Sequence, residues 1–338
     1  MSSDIVLVLA WLIFAHLVAD FVLQTDAMVS DKRSSGRRAW RGLATHGAVV
    51  GLCTAPVVAI FGPRGLLLLG IVTLGHVVID RWKVRATRHA EARALLLAHR
   101  RHERPNDEPG ETLGPAWTPV PAALFVVDQV LHLGLILAAA YLLVARLGPL
   151  PEWTMLVDRL LGGVDRGLVH RSILLAVVGA SLVIVNVRAG ALFVATLVRP
   201  RETPPGATPA PVEPVEPDAP LPAAWRIRLG PLQAVALPSR TATPGVQSPA
   251  PSGGHASTAR IGATIGILER LLIVTFVLTG STAAIGFVVA AKTLARFKQL
   301  DDRDFAEYYL LGTLASVAVA LGSALVAQAA LATLSWLA

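Results

Sequence analysis

The chain has 338 residues, 54% of them hydrophobic and only 16% charged, with mean hydropathy +0.59. Soluble domains carry about a quarter charged residues, so this balance excludes an ordinary water-soluble fold. Together with repeated apolar runs of about 20 residues, it predicts an all-α, polytopic helical membrane protein. The net charge of +7 does not imply nucleic acid as a partner, because the basic residues cluster in short loops between apolar runs, where positive-inside topology accounts for them.

The first span is expected at Ile5 to Gln24. Without a basic leader or a small-residue cleavage site, and with His16 and Asp20 inside it, it does not read as a signal peptide. The following loop holds Lys32, Arg33, Arg37, Arg38 and Arg41. Its positive charge places it in the cytoplasm and the N-terminus outside. Gly42 to Phe61 is a second span, GPRG (Gly62 to Gly65) a turn, and Leu66 to Trp82 a third span. Lys83 to Arg104 is expected as a surface helix, either on anionic lipid or solvated. Asn106 to Pro121 is a loop, Ala122 to Ala145 a fourth span, and Pro149 to His170 an outside loop with a short interfacial helix. Ser172 to Val198 is a fifth span.

Residues 199–259 differ in composition: PAPVEPVEPDAP and similar runs cannot bury a core and predict an extended, disordered cytoplasmic linker. Three further spans are expected after it, at Ile261 to Leu278, Ala283 to Phe297 and Phe305 to Leu337. The prediction is therefore about eight helices in a five-plus-three arrangement. By domain this means a four-helix part (1–146), a loop with the fifth span (147–198), the linker (199–259) and a C-terminal three-helix part (260–338). Trp40, Trp82, Trp117, Trp153 and Trp336 fall near span ends, as interfacial anchors do. Cys53, the single cysteine, reads as core filler.

Three His/Asp pairs share one spacing: His16 with Asp20, His76 with Asp80, and Asp128 with His132. A spacing of i,i+4 sets both side chains on one helix face, where they can grip one ion. His46 adds a fourth imidazole, and Gln24 and Gln129 add amide groups. An intramembrane carboxylate is costly, about 2.5–3.5 kcal/mol at a helix centre on insertion scales. Traced through alternating spans, most of these groups fall in the cytoplasmic half, which predicts one polar cavity opening to that side. Imidazole with carboxylate suits a divalent ion such as Zn, Mn or Fe. In the C-terminal part, Glu269, Lys292, Arg296 and Glu307 either neutralise one another or form a pocket for an anionic head group.

The string HLVADFVLQTD, lone His46, GHVVIDRWK and DQVLH resembles a bacterial integral-membrane family known as domain of unknown function 3307, across about Ile5 to Ala145. GILERLLI, IGFVVAAKTLARF and EYYLLGTLAS, between Gly262 and Ser316, resemble the C-terminal segment of longer members. The resemblance implies the same membrane architecture and the same grouping of His, Asp and Gln24. It implies no activity.

The functional expectation is a metal-dependent hydrolase of the bacterial inner membrane, acting at the cytoplasmic leaflet on a lipid or lipid-linked phosphate or ester. His16, His46, His76, His132, Asp20, Asp80 and Asp128 would be the metal ligands, and the three aspartates would also supply the catalytic base. Gln24, Gln129, Glu269, Lys292, Arg296 and Glu307 would contact the substrate. Membrane lipid is the expected partner, and protein partners and homo-oligomerisation stay open. Two alternatives use the same residues: a proton-coupled transporter with the pairs as a relay, or a structural protein in which they only pack helices.

Overall fold

The computed structural model describes residues 3–102, 119–145, 148–198, 225–229, 232–236 and 254–335. The chain divides into two units, Met1–Glu202 with Ile261–Ala338, and Thr203–Arg260.

The first unit is helical. Its elements before the Pro-rich segment are α1 (Ser3–Phe21), α2 (Asp26–Lys32), α3 (Gly36–Thr54), α4 (Pro56–Phe61), α5 (Pro63–His102), α6 (Val120–Leu143), α7 (Pro151–Leu161), α8 (Arg166–Ile184) and α9 (Gly190–Val198). A turn of π-helix, Val185–Ala189, joins the last two. After the segment come α10 (Gly254–Leu278), α11 (Ala283–Ala295) and α12 (Arg303–Ser335). A backbone in lipid must satisfy its own polar groups, and a helix does so within one segment.

Four helical stretches among the described residues are long and apolar enough to cross a membrane: Pro63–Arg93, Val120–Leu143, Arg166–Val198 and Phe305–Ala332. The pair Ile5–Phe21 and Asp26–Lys32, bent by 84°, makes up to five. Two of the other expected spans look different. The second breaks into α3 and α4 because Pro56 cannot donate to the helix ladder, and α3 carries Arg37, Arg38 and Arg41 in its first two turns. In the C-terminal part, α11 has only 13 residues, about 20 Å of helix against a hydrocarbon core of about 30 Å.

Two expected boundaries also move. The third span and the surface helix after it are one continuous helix of 40 residues, α5. Nothing between Trp82 and His102 is a Gly or Pro, so no residue there interrupts the ladder. The loop after the first span contains α2, whose N-cap Thr25 accepts a bond from the Met28 N–H at 3.3 Å. The expected interfacial helix between the fourth and fifth spans is α7, ended by Gly162 in the left-handed conformation at φ 54°.

In the first unit, α1, α3, α5 and α6 form the bundle that carries the site, with α1 also packed on α8. Its core joins Val8, Leu12 and Ala19 of α1 to Val50, Val57, Phe61, Leu68, Val72, Ile136 and Ala140. A second cluster joins Ile273, Val274 and Val277 of α10 to Ala320 and Ala324 of α12. Outward-facing Leu74, Val78, Leu142 and Val326 are exposed, as lipid-facing side chains are.

The second unit falls on the expected linker. Besides the start of α10 (residues 254–260), its described part is an antiparallel pair, β1 (Trp225–Leu229) and β2 (Leu232–Ala236), with Trp225 opposite Ala236 and Leu229 opposite Leu232. Trp225–Leu229 alternates apolar and polar residues, and neither strand contains proline. The rest of the linker before α10, the core of the loop at 103–118, and Trp117 and Trp336 lie outside the described residues.

Candidate metal centre

Four helices deliver one buried cluster. His16 and Asp20 come from α1, His46 from α3, His76 and Asp80 from α5, and Asp128, Gln129 and His132 from α6. His46 and His132 are 1% exposed and Asp128 is 0% exposed. The i,i+4 spacing does what helical periodicity requires: within each pair both side chains face the bundle interior. The imidazoles lie against one another, with ring centroids 4.9 Å apart for His16 and His132, 4.1 Å for His76 and His132, and 5.0 Å for His46 and His76.

The tightest group is a triangle of ligand atoms. His46 Nε2 and His76 Nε2 are 2.9 Å apart, and each is 3.2 Å from Asp20 Oδ1. Ligands about 2.0–2.1 Å from a tetrahedral zinc ion stand about 3.3 Å from one another, so these edges fit a shared ion. Two Nε2–H groups could not face each other at that distance without repulsion, so at least one imidazole turns a lone pair inward. Asp80 Oδ2 faces the same two nitrogens at 3.6 and 3.8 Å. Among the described residues, two further groups have ligand atoms close enough to share an ion: His16, Asp20 and His132, and His76, Asp80 and His132.

Hydrogen bonds decide which nitrogens are available. His132 Nδ1 donates to the Asp128 backbone carbonyl at 2.9 Å. Its Nε2 is then the lone-pair nitrogen, and it is buried without a hydrogen-bond partner. Gln129 Nε2 donates to Asp128 Oδ2 at 3.0 Å, which leaves Gln129 Oε1 to accept from His16 Nε2 at 3.4 Å. His16 Nδ1, also buried without a hydrogen-bond partner, therefore carries a lone pair. Imidazoles oriented through one nitrogen with the other left open are the usual form of metal-binding histidine. A cavity of about 10 Å³, lined by His16, His76 and His132 with Leu12, Val50 and Ile136, has room for one small occupant.

Two residues of the cluster were not anticipated. Lys32, 6% exposed at the end of α2, donates to Asp80 Oδ2, and to Gln24 Oε1 at 2.6 Å. Lys83 donates to Asp128 Oδ2 at 2.6 Å. A signal for Lys83 was present, since it follows Asp80 by three residues on α5. None existed for Lys32, whose partner lies 48 residues away. Three carboxylates (Asp20, Asp80, Asp128) now face two ammonium groups (Lys32, Lys83), which leaves one net negative charge beside four imidazoles. That balance, together with the inward lone pairs, fits a cation.

Asp128 is outside the three ligand groups, with its Oδ2 occupied by Lys83 and Gln129. The C-terminal candidates have partners of their own: Lys292 Nζ donates to Glu269 Oε2 at 2.6 Å, Arg296 to Gln299 at 2.9 Å, and Arg303 to Glu307 at 3.0 Å. There the structure also buries Arg270, 2% exposed. It donates to the Asn186 carbonyl of the π-turn at 2.7 Å and to Ser316 at 3.1 Å.

All eight side chains of the cluster from α1, α3, α5 and α6, and both lysines, fall within one matched stretch. Residues 8–160 match the family model DUF3307, described as a protein of unknown function. The DUF3307 region thus contains the whole candidate centre, and α8 to α12 lie beyond it. No curated protein and no solved structure matches this chain.

Proposed function

We propose that this protein is a metal-dependent hydrolase of the bacterial inner membrane, acting at the cytoplasmic leaflet on a lipid or lipid-linked phosphate or ester. The observation that carries this reading is the triangle of Asp20 Oδ1, His46 Nε2 and His76 Nε2, with edges of 2.9, 3.2 and 3.2 Å. His132 Nε2 and His16 Nδ1 extend the donor set. A divalent ion held there would polarise a phosphoryl or carbonyl oxygen and activate water. Asp80 is the carboxylate next to the two imidazoles, and it would serve as the base for that water, held in place by Lys32. Asp128 orients the centre, fixing His132 through its backbone carbonyl and His16 through Gln129.

The finer topology belongs to the same proposal: eight spans, five before the Pro-rich segment and three after it, with the N-terminus outside. The basic residues around Lys32 to Arg41 and Lys83 to Arg93 support a cytoplasmic position for those ends.

Elemental mass spectrometry of the protein purified in mild detergent tests the reading. One or two transition-metal ions per chain are expected, lost in His46→Ala and His76→Ala. Wild-type protein without bound metal would sink it. The second reading, a proton relay, has its own support in the row of neighbouring imidazoles between Lys83–Asp128 and Lys32–Asp80. Metal-independent proton flux in liposomes, abolished by Asp20→Asn, would favour it.

A further inference from the structure

A larger cavity, about 270 Å³, lies between the start of α3 and the middle of α5. Its lining includes Lys32, Ser35, Trp40, Arg81, Arg85 and Arg88, and no carboxylate. Three guanidinium groups in one concavity suit an oxyanion with several acceptor oxygens, because each planar fork can donate two parallel bonds. Two of them are already oriented. Arg81 lies over the Trp40 ring, 4.2 Å from its centroid, and Arg88 Nη2 donates to the Ser34 carbonyl at 2.8 Å. Ser35, at the α3 N-cap, makes no side-chain capping bond, which leaves its hydroxyl for a ligand.

Position and size narrow the ligand. The cavity sits where α5 changes from the apolar run ending at Trp82 to the basic run from Lys83 to Arg93. Trp40 and Trp82 are both about half exposed there, as aromatic side chains are at the membrane interface. Pockets for whole drug-sized molecules measure about 300–1,000 Å³. This one is smaller and suits a phosphate-bearing head group whose acyl chains stay in the bilayer. Lys32 lines the cavity and also holds Asp80, so one side chain borders both the cavity and the candidate centre.

We propose that this cavity binds a phosphate group, presented at the cytoplasmic interface beside the candidate metal centre. Its role in turnover rests on the hydrolase reading, while the binding itself is measured separately.

Isothermal titration of the full-length protein in mild detergent tests the binding, with three probes: dihexanoyl phosphatidic acid, inorganic phosphate, and dihexanoylglycerol as a phosphate-free control. Saturable binding of the phosphatidic acid is expected. It should weaken by at least about tenfold in an Arg85→Gln, Arg88→Gln double variant, the equivalent of one or two charge-assisted hydrogen bonds. Arg64→Gln, at the opposite end of α5, loses one charge outside the lining and should bind as wild type does. Equal binding by wild type and the double variant overturns the proposal, as does binding of dihexanoylglycerol with the same affinity. Inorganic phosphate that competes for the site supports the phosphate group as the recognised chemistry and a free anion as a sufficient source. Binding of the lipid alone supports a head group held with its glycerol. Metal content measured on the same samples separates the two ideas. Phosphate binding without metal leaves the pocket standing and removes the hydrolase, whereas metal without phosphate binding does the reverse.

Discussion

Lys32 and Asp80 form a buried ion pair between the end of a seven-residue helix and the middle of a membrane-spanning one, 48 residues apart in the chain. Gln24 Oε1 accepts a second bond from the same ammonium at 2.6 Å. The short helix α2 therefore serves to carry one positive charge to the edge of a His/Asp cluster.

Removing that charge leaves a carboxylate buried without its partner. Lys32→Met is expected to destabilise the protein by about 3–5 kcal/mol, the usual cost of breaking a buried pair from one side. Replacing Asp80 as well, with Asn, should recover most of the loss. Thermal unfolding of the two variants in one detergent checks this, and an Asp80→Asn, Lys32→Met protein no more stable than Lys32→Met would contradict the pairing.

The seating of α2 depends on Gly42. A Cβ at that position would lie 2.6 Å from the Lys32 backbone nitrogen and 2.8 Å from Asp31 Cβ. Gly42→Ala should therefore push α2 off α3 and cost about 1–3 kcal/mol, as other overpacking changes do. Lys32 should move off Asp80 with it. A melting temperature equal to wild type would show that α2 is held less closely than the structure has it.

Metal content should follow the donor geometry. His46→Ala and His76→Ala each remove a corner of the triangle and should abolish stoichiometric metal. Gln129→Leu touches no ligand atom of the triangle, yet it frees the His16 ring. It should weaken metal affinity by about 10–100-fold, the range seen when an outer partner of a ligand is lost. Competition with a chelator of known affinity measures this. Tight binding retained in His76→Ala would remove the triangle as the site.

The C-terminal charges should behave as a packing pair. Lys292 and Glu269 meet at 2.6 Å, so Glu269→Gln is expected to lower stability while metal content stays at the wild-type level. A loss of metal in that variant would place Glu269 in the centre's chemistry.

Orientation in the membrane is open to direct chemical labelling. In a Cys53→Ser background, Arg93→Cys and Glu152→Cys place single thiols on α5 and at the start of α7. In intact spheroplasts a membrane-impermeant maleimide should label the Glu152→Cys protein, and it should reach Arg93→Cys only after the membrane is opened. The opposite pattern would invert the proposed topology.

Much of the candidate centre could be read from local periodicity. A helix returns to the same face every four residues, so His16 with Asp20, His76 with Asp80, and Asp128 with His132 were tied together by spacing alone, and the membrane class followed from composition. Which pairs meet, and through which atoms, depends on how four separate helices pack, and spacing along one helix carries no information about that. The chain alone therefore did not distinguish Asp20, whose Oδ1 closes the triangle with His46 and His76, from Asp128, whose Oδ2 goes to Lys83 and Gln129. Lys32 and the arginines of α5 read as topology signals because charge near a span end has that simpler explanation. Only the tertiary structure brings Lys32 against Asp80 and gathers Arg81, Arg85 and Arg88 around one cavity. The physical reason is range. Periodicity acts over one helical turn, whereas the Lys32–Asp80 and Lys83–Asp128 pairs join segments that the chain separates by 48 and 45 residues.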